Sequence, residues 1–143
     1  MKIPNTLWKS RKGKDWFEES ASDYFSGKRS LVVSLPGAFT PIWSEMQLPG
    51  LEALYDDYKE KGIDEVYCLS VNDSFVMNAW AKEHEIEKVK MIPDGSGEFT
   101  RDMDMIVFKP AQNFGFRSWR YAMIVNDMEL SLIHISEPTR HVD

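Results

Sequence analysis

The residues best placed to do chemistry fall in one run, residues 34–50, SLPGAFTPIWSEMQLPG. Thr40 is a good helix N-cap, and Pro41 is pre-set for the first helical position. Residue 43 then falls within the opening turn, where unpaired backbone N–H groups and the positive end of the helix dipole favour an anion. The residue there is Trp43, whose indole carries no negative charge. Either the site does something other than ionic chemistry, or it lacks the residue it was built for.

Few other residues compete for a chemical role. Cys68 is centred in an apolar run, Glu65–Val71 (EVYCLSV), where burial raises a thiol pKa, so it reads as structural and not as a substitute nucleophile. His84 lies among Lys82, Glu83 and Glu85 and reads as part of a solvated face, with no second metal ligand at useful spacing. Gly95-Ser96-Gly97 lacks the longer pattern of a phosphate-binding loop and reads as a turn. Trp80, Met103 and Met105 read as core. Arg120 lies in Ser118–Val125 (SWRYAMIV), an otherwise apolar strand where a charge needs a functional or structural partner. Arg117 either assists it or lies on the surface.

The elements that must position these residues follow from patterning. Thr6–Lys9 and Asp15–Glu18 suggest a short hairpin across Lys12-Gly13-Lys14. Ser30–Leu35 is a buried strand closed by Pro36-Gly37. A helix follows Thr40-Pro41, with Leu48, Leu51, Leu54, Tyr55 and Tyr58 at helical spacing and a kink expected at Pro49-Gly50. Glu65–Val71 is the next strand. Asn72-Asp73-Ser74 caps a helix running to Glu85, with Phe75, Val76, Ala79 and Trp80 expected on its inner face. Lys88–Ile92 and Ser118–Val125 add strands, with a brief helix at Glu98–Met103. This alternation predicts an α/β sandwich with a mixed central sheet.

The 143 residues suit a single domain, and 43% hydrophobic with 28% charged residues is ordinary for a globular chain. A net charge of −6 argues against nucleic acid or an anionic membrane as partner. No apolar run approaches the roughly 18–20 residues of a membrane span, and the N-terminus lacks a signal-peptide core. One cysteine excludes an intrachain disulfide, which fits a reducing cytoplasm.

Residues 36–44, with Leu48-Pro49-Gly50 downstream, resemble the PGAFTPxCS and LPG signature of the atypical, type-five peroxiredoxins. Ser70-Val71-Asn72-Asp73 with Phe75-Val76-Met77, the IPDGSGEFTR of Ile92–Arg101, and Arg117-Ser118-Trp119-Arg120-Tyr121 resemble the same subfamily in the same order. The resemblance runs from Ile3 to Glu129. It implies a thioredoxin-like fold and a thiol peroxidase that uses no metal or other cofactor. A peroxidatic cysteine would stand at the place of Trp43, attack peroxide as a thiolate, and be restored from its sulfenic acid by glutaredoxin, glutathione or thioredoxin. By the same match, Arg120 would lower the thiol pKa, Thr40 would hold the peroxide, and Pro36 and Pro41 would shape and shield the pocket. Phe39 and the 36–41 loop would contribute to a homodimer contact.

The sequence departs from that pattern in three places. Trp43 cannot form a thiolate or a sulfenic acid, so the chain is expected to be inactive as a thiol peroxidase. Asp104 stands where the subfamily carries glycine. Leu130–Arg140, LSLIHISEPTR, resembles the translation of a transposase-type sequencing adapter. The domain is therefore expected to occupy residues 1–129, followed by a non-native tail over 130–143 that carries His134 and His141. A truncated C-terminal strand and helix would leave apolar surface uncovered. SLIHI is nevertheless β-prone and could pair back on Tyr121–Val125 around Asn126-Asp127.

Two readings of Trp43 stand side by side: a one-base change from a cysteine codon in an ordinary peroxidase, or a natural non-catalytic relative kept for binding or dimerisation. An indole in a pocket sized for a thiol should overpack by about 1–3 kcal/mol, so Trp43 is expected to be partly exposed or to displace the loop.

Overall fold

The computed structural model describes residues 1–40 and 43–135, with only the backbone described at 43 and 44. The expected hairpin forms from β1 (Leu7–Lys12) and β2 (Asp15–Ser20), longer than its turn signal alone required. A short α1 (Ala21–Phe25) follows, opened by a capping box in which Ser20 and Asp23 satisfy each other's backbone N–H groups.

The centre is a five-stranded mixed sheet in the order β5-β4-β3-β8-β9. Its strands β3 (Arg29–Leu35), β4 (Glu65–Ser70) and β5 (Lys90–Pro93) run parallel, while β8 (Tyr121–Asn126) and β9 (Glu129–Ile135) are antiparallel additions. Every residue of β4 is buried, as expected of a parallel strand covered on both faces. The two-residue period sorts side chains into two cores. Val32, Tyr67, Leu69, Tyr121, Met123 and Val125 join Trp8 and Phe25 on one face. Val33, Leu35, Val66 and Cys68 face the helices α2 (Trp43–Ala53) and α4 (Ser74–Glu83) on the other.

Four local expectations are corrected. The long helix passes through Pro49 and breaks instead at Leu54 (φ −95°, ψ 2°), before α3 (Tyr55–Glu60). Leu48 and Leu51 are buried on either side of Pro49, and that packing outweighs proline's helix penalty of about 3 kcal/mol. Leu54 itself is exposed. On α4 the inner face is Ser74, Met77 and Trp80, while Phe75 and Ala79 point outward. The N-cap at Asp73, which accepts from Val76 N at 2.9 Å, sets this phase. Phe75 packs edge-on against Trp16 instead, 5.5 Å between ring centroids.

The third correction concerns Ser118–Val125, which is not one strand. A second hairpin, β6 (Ile106–Lys109) with β7 (Gly115–Ser118), ends at Ser118, and Trp119-Arg120 bridges to β8. The fourth is His84, treated with the site below. Asp94, wholly buried, pins the turn before α5 (Glu98–Asp102) by accepting from Trp8 Nε1 at 2.9 Å and from Thr100 N and Oγ1 at 2.9 and 2.7 Å.

Residues 129–135 do pair on β8, around a turn at Asp127-Met128 where both residues have positive φ. Leu31, Ala122 and Ile124 on this side of the sheet are only partly buried, and Leu132 is exposed. No helix among the described residues is long and apolar enough to cross a membrane.

Candidate active site

The loop after β3 leaves the sheet at the carboxyl ends of the parallel strands, where α/β folds place their sites. Three contacts fix it. Ala38 N donates to Asn72 Oδ1 at 2.9 Å, and Ser70 Oγ donates to the same oxygen at 2.7 Å, tying the loops after β3 and β4 together. Arg117 Nη1 donates to Pro36 O at 3.2 Å. Thr40 Oγ1 donates to Gly37 O at 2.7 Å, folding the loop back on itself. Pro36, Gly37 and Ala38 are buried, whereas Phe39 is exposed with φ 60°.

Beyond the loop, α2 begins at Trp43 and carries Glu45 in its first turn. The capping geometry expected of Thr40-Pro41, the shielding role of Pro41 and the exposure of the Trp43 side chain lie outside the described residues. Arg120 reaches this helix from the β7–β8 junction and donates through Nη1 to Gln47 Oε1. The junction is itself held: Ser118 Oγ lies 2.9 Å from Ser34 Oγ and donates to Trp119 O at 2.6 Å, while Trp119 N donates to Met105 O at 2.9 Å. Arg120 therefore sits in a break between strands, which brings a half-buried guanidinium to a polar partner that an apolar strand could not offer.

Of its two expected places, Arg117 does not take the one on the surface. It is half-buried, holds the Pro36 and Phe114 carbonyls, and lies 5.0 Å above the Phe114 ring. Burial lowers its guanidinium pKa from the ordinary value. Cys68 is wholly buried on the face of β4 that packs against α2 and α4, and burial pushes its thiol up to about 12, as its apolar setting implied.

His84 is corrected from a solvated face: its side chain is 19% exposed and its Nε2 lies 2.5 Å from Glu45 Oε2. Gln47 and Asn72 join the site in addition to the residues expected from the sequence. Gln47 follows Trp43 by one helical turn on the same face, a spacing that pointed to it; Asn72 was absorbed into a helix cap that Asp73 provides alone. No cluster of three metal-ligating side chains occurs among the described residues.

Residues 5–142 match the redoxin family. A peroxiredoxin of Rhizobium etli is 60% identical over 112 residues, covering 78% of this chain and 63% of its own length. The hybrid peroxiredoxin hyPrx5 of Haemophilus influenzae is 43% identical over 139 residues, covering 96% of this chain and 58% of its own. The chain thus spans about three-fifths of the length of these relatives. The crystal structure of reduced Prx3 from Vibrio vulnificus in complex with hydrogen peroxide superposes with a TM-score of 0.89 at 34% identity, covering 96% of this chain and 84% of that one.

Proposed function

Because the chain belongs to the redoxin family, and within it to the atypical type-five peroxiredoxins, we propose that the 36–40 loop, the first turn of α2 and Arg120 form the peroxide site of a thiol peroxidase, with Trp43 at the position of the reacting sulfur. The observation that carries this reading is the meeting of Arg120 with Gln47, one turn into the helix that Trp43 opens.

At that position a thiolate would be stabilised by the helix N-terminus and by the guanidinium. It would attack one peroxide oxygen, the O–O bond would break, and the departing oxygen would take a proton and leave as water or an alcohol. The sulfenic acid left behind condenses with a donor thiol, losing water, and a second thiol reduces the resulting disulfide. Thr40 would orient the peroxide through its hydroxyl, and buried Pro36 would keep water from the sulfur. Hydrogen peroxide or an organic hydroperoxide is the substrate on this reading, and glutaredoxin, glutathione or thioredoxin the reductant, in a cytoplasmic setting.

Trp43 offers none of the sulfur chemistry, so the chain as it stands turns over no peroxide. A second reading, a non-catalytic module that binds or dimerises through the same loop, draws on Phe39, which is 47% exposed there. The separating experiment is thiol-dependent hydrogen peroxide consumption by the chain and by Trp43→Cys. No turnover is expected from the first, and turnover from the second once a native C-terminus replaces residues 130–143. Turnover with Trp43 in place would overturn the inactivity, and a folded but inert Trp43→Cys would leave the binding module.

A further inference from the structure

Trp80 on α4 and His84, the residue that ends it, reach the 36–40 loop and the first turn of α2, on either side of residue 43. Trp80, wholly buried, lies against Phe39 with ring centroids 6.4 Å apart. His84 contacts the Trp80 ring edge-on and meets Glu45 on the other flank, Nε2 to Oε2 at 2.5 Å. The Glu45 side chain is 33% exposed and that of His84 19%, so the pair is largely withdrawn from water. Glu45 Oε1 and Trp80 Nε1 are both buried there without a hydrogen-bond partner among the described residues. A carboxylate with one oxygen unsatisfied is costly to keep inside unless a cation faces the other.

We propose that His84 is a positioning residue for residue 43: through its contact with Glu45 it locks the first turn of α2 to the end of α4. Arg120 reaches the same helix two residues from Glu45, where it donates to Gln47 Oε1. The other carboxylate of α2, Glu52, is committed to the backbone N–H groups of Glu87, Lys88 and Val89. Lys82, Glu83 and Glu85 are exposed, and the 36–40 loop has no titratable side chain. The significance for chemistry rests on residue 43 being the reacting position, since an unneutralised Glu45 two residues away would oppose an anion there.

The clamp itself is measurable in the chain as it stands, by hydrogen exchange of residues 45–48 at one fixed pH. After correction for intrinsic rates, removing the His84 contact should lower protection there by about tenfold, the worth of one hydrogen bond to a charged group. His84→Asn should show this loss, and His84→Lys, which keeps a donor opposite Glu45, should restore the protection. The strands β3 and β4 should be unaffected in all three. Unchanged protection in His84→Asn, or no rescue by lysine in a folded protein, would overturn the clamp. An inert Trp43→Cys, with the His84→Asn loss and the lysine rescue intact, would overturn the peroxidase reading and leave the clamp standing.

Discussion

Arg117 and Gly37 share one space. The guanidinium that donates to Pro36 O at 3.2 Å lies where a Cβ on residue 37 would have to go, and that Cβ would also come within 2.8 Å of Thr40 Cγ2. The glycine is needed for this close approach, since its backbone φ is not in the left-handed region.

Gly37→Ala should therefore displace Arg117 from the Pro36 carbonyl and push on Thr40. Urea unfolding should show a loss of about 1–3 kcal/mol, the usual range for overpacking. The loss should shrink in an Arg117→Ala background, where only the Thr40 contact remains. An unchanged midpoint for Gly37→Ala would mean that the loop accommodates a methyl group and is not held by this contact.

Asp104 adopts φ 60° just past the end of α5, with Asp104 N bonded to Arg101 O at 2.9 Å. This left-handed helix end is where glycine is preferred, and the exposed Asp104 side chain has no packing to lose. Asp104→Gly should stabilise the protein by about 0.5–1 kcal/mol and raise Tm by about 1–4 °C. A lower Tm on thermal melting would contradict the account.

Alkaline pH should destabilise the fold through groups that burial keeps protonated. The Cys68 thiol is pushed from 9.0 to about 12, and burial likewise raises Tyr24, Tyr67 and Tyr121 above the ordinary tyrosine value. Above pH 9 the unfolded chain releases the Cys68 proton while the folded chain retains it. The folded state then binds more protons, so stability falls as pH rises, by up to about 1.4 kcal/mol per pH unit for each such group. Denaturant titrations between about pH 8 and 10 should show this decline, with Cys68→Ala flattening its first part. Native Cys68 should also resist thiol labelling that the unfolded chain accepts at once. Equal labelling of both states would remove the basis of the prediction.

The strands and the motif were legible in the sequence because they depend on local properties. Ser30–Leu35 and Glu65–Val71 could be read as buried strands from apolar runs and turn signals, and residues 36–44 as a helix start. The errors have a common cause. Leu54 and Phe75 were placed inward by their apolarity, but a cap at Asp73 and the packing around Pro49 set the actual helix phases. Arg120 was read into a continuous strand because nothing local marks Trp119-Arg120 as the step from one sheet to another. That step exists because Ser118 bonds to Ser34, a partner 84 residues away.

By itself, then, the sequence determined the family pattern, the absence of a sulfur at residue 43, and the buried, inert character of Cys68. These follow from residue identity and nearest-neighbour patterning. Tertiary structure alone decided that Arg120 meets Gln47, that Arg117 fills the space above Gly37, and that His84 leaves solvent to face Glu45. Each joins residues more than 35 positions apart, and such contacts form only when sheet register and helix packing bring distant segments together.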